Sequence, residues 1–188
     1  MSIARLLLPL TLPLGVLVVG SWRLAVSPDL APPPKALAAP ISQHRGVAAR
    51  PDYARTPPIG GSSCSTNPSI AEGLLQQGRR LGIAVVAGPP ELPGKDASYR
   101  AEPGRLGTIT LKPRPMSAEV RCLLISHEFI HVLQHLYGDL RGVPPLGWSI
   151  TEEQVARFGS RQEAEAYAHQ HAADYVLELL KATPRPQR

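Results

Sequence analysis

Hydrophobic and polar positions follow no period over the first third of the chain, and become regular beyond it. Residues 6–20 are almost wholly apolar behind Arg5, which reads as a signal-peptide core or an uncleaved anchor. Pro9 and Pro13 inside that run argue against a stable spanning helix. Residues 22–61 are rich in Pro, Ala and Arg without periodicity, the composition of a linker, a disordered leader or a propeptide. From residue 62 the patterning predicts a helix over 67–81, a short apolar strand over 83–87 and an alternating β-branched strand over 106–112 that ends at Pro113.

The strongest helical signal covers residues 116–137. Pro115 precedes it, Ser117 can cap it, Glu119 suits its N-terminal dipole and Gly138-Asp139 stops it. Val120, Leu123, Leu124, Ile130, Leu133 and Leu136 give it a broad apolar surface, so it should be central. A Gly/Pro-rich loop over 138–147 and a short connection lead to a second long helix from Arg161 to about Lys181. The order helix, strand, strand, helix, helix predicts an α+β fold with the central helix packed on a small sheet. The chain therefore divides into a leader or anchor (1–21), a linker (22–61) and one folded domain (62–188).

Charge changes this picture little. Of the formal net charge of +5, residues 1–61 supply +4, from six Lys/Arg against two acids, which leaves +1 on the folded domain. No basic face suggests nucleic acid. A basic tether beside an apolar segment could touch anionic lipid, but a solvated linker is the commoner use of such a composition. The 2 cysteines, Cys64 and Cys122, would pair in an exported protein and tie the start of the domain to the central helix; free thiols and metal ligation are the alternatives.

The central helix carries His127-Glu128-Phe129-Ile130-His131. On a helix, two imidazoles four residues apart leave one face a turn apart and can grip one ion. Zn²⁺ takes neutral imidazole nitrogen, and a catalytic site uses three protein ligands with a fourth position open to water. Glu128 would stand beside that water as general base. An HExxH string arises by chance in roughly one chain of this size in a hundred, so the helical context carries the reading. The bland alternative is a core helix with incidental histidines. It would bury two imidazoles and a carboxylate without a partner, at a cost of several kcal/mol.

The third ligand should come from the second helix, where Glu163 and Glu165 compete. Spaced by two, they lie about 200° apart, so only one can face the ion. Glu163 shares an arc with Asp174, Glu178 and Lys181, whereas Glu165 falls among Ala168, Ala172, Val176 and Leu179. A carboxylate in an apolar arc needs a partner. The wheel therefore favours Glu165, with Glu163 as the alternate and the loser acting as a solvated charge or an orienting neighbour. Tyr137, Tyr167, His135, His169 and His171 are weaker candidates for stabilising an oxyanion, and His135 is expected at the surface or behind a ligand.

Over residues 106–181 the sequence resembles a minimal gluzincin-type zinc metallopeptidase. Glu165-Ala166-Tyr167-Ala168-His169 is similar to the Glu-x-x-Ala-polar pattern of such families, and Glu163-Ala164-Glu165-Ala166-Tyr167 is less so. His169 or Tyr167 stands where Asp or Asn is usual, and no third-histidine motif follows His131, which disfavours a metzincin. The resemblance implies a zincin-like fold, a Zn²⁺ held by two histidines and a glutamate, and hydrolysis of a peptide or protein substrate. It also implies an edge strand near the cleft, expected at 106–112, that holds extended peptide by main-chain hydrogen bonds. The other class in view is a non-catalytic zincin-like module that keeps the fold or the metal for binding or stability; Glu128 discriminates, since a structural site needs no base. An exported protein, whether periplasmic, secreted or anchored, fits the leader.

Overall fold

A 20-residue helix, Ala118–Tyr137, runs through the middle of the domain, and every residue from Ile125 to Leu136 on it is buried. The computed structural model describes residues 49–58 and 63–185; the apolar leader and most of the linker lie outside the described residues. Ser117 caps this helix, its Oγ accepting the Val120 N–H at 3.2 Å, so the cap and length expected from sequence are both present. A helix buried on all sides must carry its polar residues into other protein groups, and this one carries six of them between Ser126 and His135.

In chain order the described elements are α1 (Ser63–Thr66), α2 (Ile70–Leu81), β1 (Ala84–Ala87), β2 (Ala97–Glu102), β3 (Arg105–Leu111), α3 (Ala118–Tyr137), α4 (Glu152–Phe158), α5 (Arg161–His169) and α6 (Ala173–Ala182). The fold is α+β, with one three-stranded sheet ordered β1-β3-β2. β1 runs parallel to β3 with Ala84 opposite Thr108, and β2 runs antiparallel to it with Ala97 opposite Leu111. The strand expected at the edge is thus the central one. β2, which the sequence reading leaves as loop, is the edge beside α3. A Pro103-Gly104 turn joins β2 to β3, Gly104 taking φ +76°. Gly107 is required by close approach, since a Cβ there would stand 1.7 Å from the Arg100 carbonyl oxygen.

The second long helix is broken in two. At the break the His171 carbonyl accepts from the Ser63 N–H at 3.1 Å and the Ser63 hydroxyl at 3.0 Å, and Asp174 N–H donates to that hydroxyl. Contacts from α1 therefore occupy groups that a continuous helix would have used internally. The connection before α5 holds α4, with a Thr151/Gln154 capping box and Gly159 as its left-handed stop.

The packed region begins before residue 62. Tyr53 is only 4% exposed and belongs to the core; its hydroxyl meets Thr183 Oγ1 at 3.0 Å and its carbonyl accepts from Trp148 Nε1 at 2.8 Å. Pro57 is buried as well, so residues 51–57 are part of the domain and not of a linker. Leu74, Ile109, Phe129, Ile130, Leu133, Trp148 and Leu180 form the centre of that core.

Cys64 on α1 and Cys122 on α3 form a disulfide, with Cα atoms 5.5 Å apart and a sequence separation of 58. The chain-entropy relation assigns a loop of that length about 4 kcal/mol. Reduction, or replacement of both cysteines by serine, is expected to lower the melting temperature by roughly 10–15 °C for a domain of this size. Thermal melts with and without reductant check this, and coincident curves would show that the bond contributes nothing.

Candidate metal centre

α3 places His127 and His131 one turn apart with their Nε2 atoms 3.2 Å from each other. From the first turn of α5, Glu163 brings Oε1 to 3.3 Å from His131 Nε2 and Oε2 to 3.6 Å from His127 Nε2. Ser160 caps α5 by accepting the Glu163 N–H at 3.2 Å, which fixes where that side chain starts. One ligand atom from each of the three residues lies within 4.8 Å of the other two.

The electrostatics of the cluster suit a cation. The two histidines hold the Glu163 carboxyl well below the usual carboxylate range. Burial pushes the His127 imidazole down, against the pull of Glu163. Burial would also lower His131, but Glu163, Glu128 and Gln134 together outweigh it and raise that ring. With both imidazoles neutral, their Nε2 lone pairs and a Glu163 oxygen stand close enough together to be offered to one cation. His127, His131 and Glu163 could therefore hold a metal ion.

Glu165, the ligand favoured by the helical wheel, stands elsewhere. It is 1% exposed, as its apolar arc predicts, but its partners are protein groups. Oε2 accepts from Leu146 N–H at 2.7 Å and Gln134 Nε2 at 3.1 Å, while Oε1 accepts from Gly147 N–H at 2.7 Å and Trp148 N–H at 3.1 Å. Four donors leave this carboxylate no need of a metal. The alternate, Glu163, is the one facing the histidines.

Glu128 is buried at the wall of a cleft of about 230 Å³, which His127, His131, Glu163, Tyr167 and Lys95 also line. Burial pushes its carboxyl up to about 7, with Glu163 adding to the rise and His131, the Tyr99 backbone amide and Lys95 opposing it. Residues 95–99, leading into and along β2, line the same cleft. Tyr167 packs its ring against His127 at a centroid distance of 4.5 Å and stacks on Phe158 at 4.2 Å. Its hydroxyl accepts from Lys95 Nζ at 3.2 Å. Lys95 carries no sequence signal of its own, being a single lysine in a Gly/Pro-rich stretch.

The other proposed donors are accounted for differently. His135 is buried, not at the surface: its Nδ1 is hydrogen-bonded to the Tyr99 hydroxyl at 2.8 Å, and that hydroxyl accepts the Gly107 N–H at 3.1 Å. His169 Nε2 donates to the Ser149 carbonyl at 2.9 Å, beside the Trp148 ring. Tyr137 is exposed, and neither it nor His171 lines the cleft. Among the described residues, no helix is long and apolar enough to cross a membrane. Comparison with protein-family models, with curated proteins and with solved structures finds no match to this chain.

Proposed function

We propose that this protein is an exported zinc-dependent peptidase of zincin-like type. His127, His131 and Glu163 would hold Zn²⁺, and Glu128 takes the proton of the attacking water. The observation that carries the reading is the convergence of a two-nitrogen, one-oxygen ligand set and a separate buried carboxylate on one cleft. Two imidazoles favour zinc over calcium or magnesium, which prefer oxygen cages, and three ligands leave a position free for chemistry. When bound, the ion would polarise a carbonyl and make water acidic enough to ionise near neutral pH.

The chain's own groups supply the rest. Glu128 is positioned to accept the water's proton and hand it to the leaving amine. Tyr167, whose oxygen already accepts from Lys95, keeps its hydroxyl proton to donate to the carbonyl oxygen as charge develops there. β2 is an edge strand along the cleft, and an extended peptide can add to it through main-chain hydrogen bonds. The Cys64–Cys122 disulfide is compatible with export. A purely structural or binding module would gain nothing from burying the Glu128 carboxylate, which costs desolvation free energy.

Metal analysis of the purified protein is expected to return one zinc per chain. A chelator should abolish cleavage of a peptide library and added zinc should restore it. Protein that retains no zinc from non-chelating buffer would sink the proposal, and zinc without cleavage would favour the binding module.

A further inference from the structure

The hydrogen bonds behind His131 dictate which of its nitrogens carries the proton. Gln134 is fully buried, one turn along α3 from His131. Its amide nitrogen meets the Gln162 carbonyl oxygen at 3.0 Å and Glu165 Oε2 at 3.1 Å. Both are acceptors only, so the NH₂ end of Gln134 must face them, and its amide oxygen faces His131 Nδ1 at 2.7 Å. An amide oxygen cannot donate. Nδ1 therefore carries the proton, and in the neutral ring Nε2 carries the lone pair, aimed at His127 and Glu163.

His127 is held by other means. Its Nδ1 is buried without a hydrogen-bond partner, and its ring rests against Tyr167. Of the two imidazoles, only His131 has its tautomer set by a protein hydrogen bond. Glu165 in turn is immobilised by three backbone amides of residues 146–148. The second glutamate of the Glu-x-Glu sequence thus reaches His131 through Gln134, while the first stands directly beside both histidines.

We infer that Gln134, oriented by Glu165, is a positioning residue that locks His131 in its metal-ready tautomer. The inference rests on the metal-site reading, and it predicts that zinc affinity depends on a residue that would not itself bind the ion. Replacing a hydrogen-bond partner of a ligand histidine typically weakens metal binding 10–100-fold.

The test is zinc affinity by chelator competition for the wild type and Gln134→Met, a replacement of similar length without an acceptor for Nδ1. Nitrogen NMR of the histidine rings, recorded on the metal-free proteins at a pH where the rings are neutral, accompanies it. Wild type is expected to show His131 protonated at Nδ1. Gln134→Met is expected to populate the Nε2–H form and to bind zinc 10–100-fold more weakly, with metal-free circular dichroism unchanged. A folded Gln134→Met with wild-type affinity would overturn the inference and leave the zinc reading standing. A wild-type His131 protonated at Nε2 would overturn it too, and decides the matter if the variant does not fold. A wild type that binds no zinc would overturn both.

Discussion

Glu128→Gln is expected to keep its zinc and lose cleavage by about 10²–10⁴-fold, the span typical of a general acid–base group. The substitution preserves shape in a site that is 4% exposed, and removes only the ability to take a proton. Glu128 is absent from the set that converges on the ion position, so metal content should not change. Stability should hold or rise, because a neutral amide is easier to bury than a carboxylate. Three measurements on one preparation separate the cases: zinc content, thermal melt and turnover of a cleaved peptide. Unimpaired turnover would remove Glu128 from the mechanism. Loss of zinc would make it a ligand, against its placement at the cleft wall.

The paired substitutions Glu163→Ala and Glu165→Ala should fail in opposite ways. Glu163 is partly exposed at the cleft and supports no backbone group, so its removal should leave the fold intact. Zinc affinity should fall by more than the 10–100-fold typical of losing a supporting residue, because a ligand itself is gone. Removing Glu165 instead strands the buried N–H groups of Leu146 and Trp148, and takes a partner from the Gly147 N–H and from the Gln134 amide, which keeps the Gln162 carbonyl. An unsatisfied buried donor costs about 1–3 kcal/mol, and more than one is left at once. Against a typical total of about 5–15 kcal/mol, Glu165→Ala should be severely destabilised or unfolded. Denaturant titration and zinc competition on both variants check this. A stable Glu165→Ala that has lost zinc, beside a zinc-binding Glu163→Ala, would reverse the assignment.

What the sequence made legible was local. The α3 boundaries follow from Ser117 and Gly138, the histidine pair from a four-residue spacing, and the cysteine pair from their number and expected compartment. β3 and α2 follow from their apolar periods. β2 lacks such a period, since Ala97–Glu102 includes Arg100 and ends in Glu102; the Pro103-Gly104 turn before a β-branched strand was the hairpin signal that could have found it. α4 was likewise marked by Thr151-x-x-Gln154, a capping box hidden in a polar stretch.

The carboxylate beside the two histidines is the alternate, Glu163, and not the Glu165 that the wheel favours, for a tertiary reason. The wheel carried one phase from Glu163 to Lys181, but Ser63 breaks that helix at His171, so Asp174 and Glu178 do not report on the face that Glu163 occupies. The wheel did place Glu165 in the interior. Burial showed that the carboxylate needed partners, and could not show that the amides of residues 146–148 would be those partners.

The pairing of Tyr53 with Thr183 and Trp148 bears on the order of assembly during synthesis. A ribosome releases Tyr53 long before α6, yet the hydroxyl and carbonyl of Tyr53 are satisfied by residues 130 and 95 positions later. Val176, Leu179 and Leu180 enter the same core from that last helix. His127, His131 and Glu163, which could hold a metal ion, are all translated before α6, but the core around them is complete only after it emerges. A nascent chain that ends between Glu163 and α6 therefore carries all three of these side chains and lacks the last described helix of the core around them. Long-range closure of this kind, between the first and last described segments of the domain, is the sort of contact that forms late in folding.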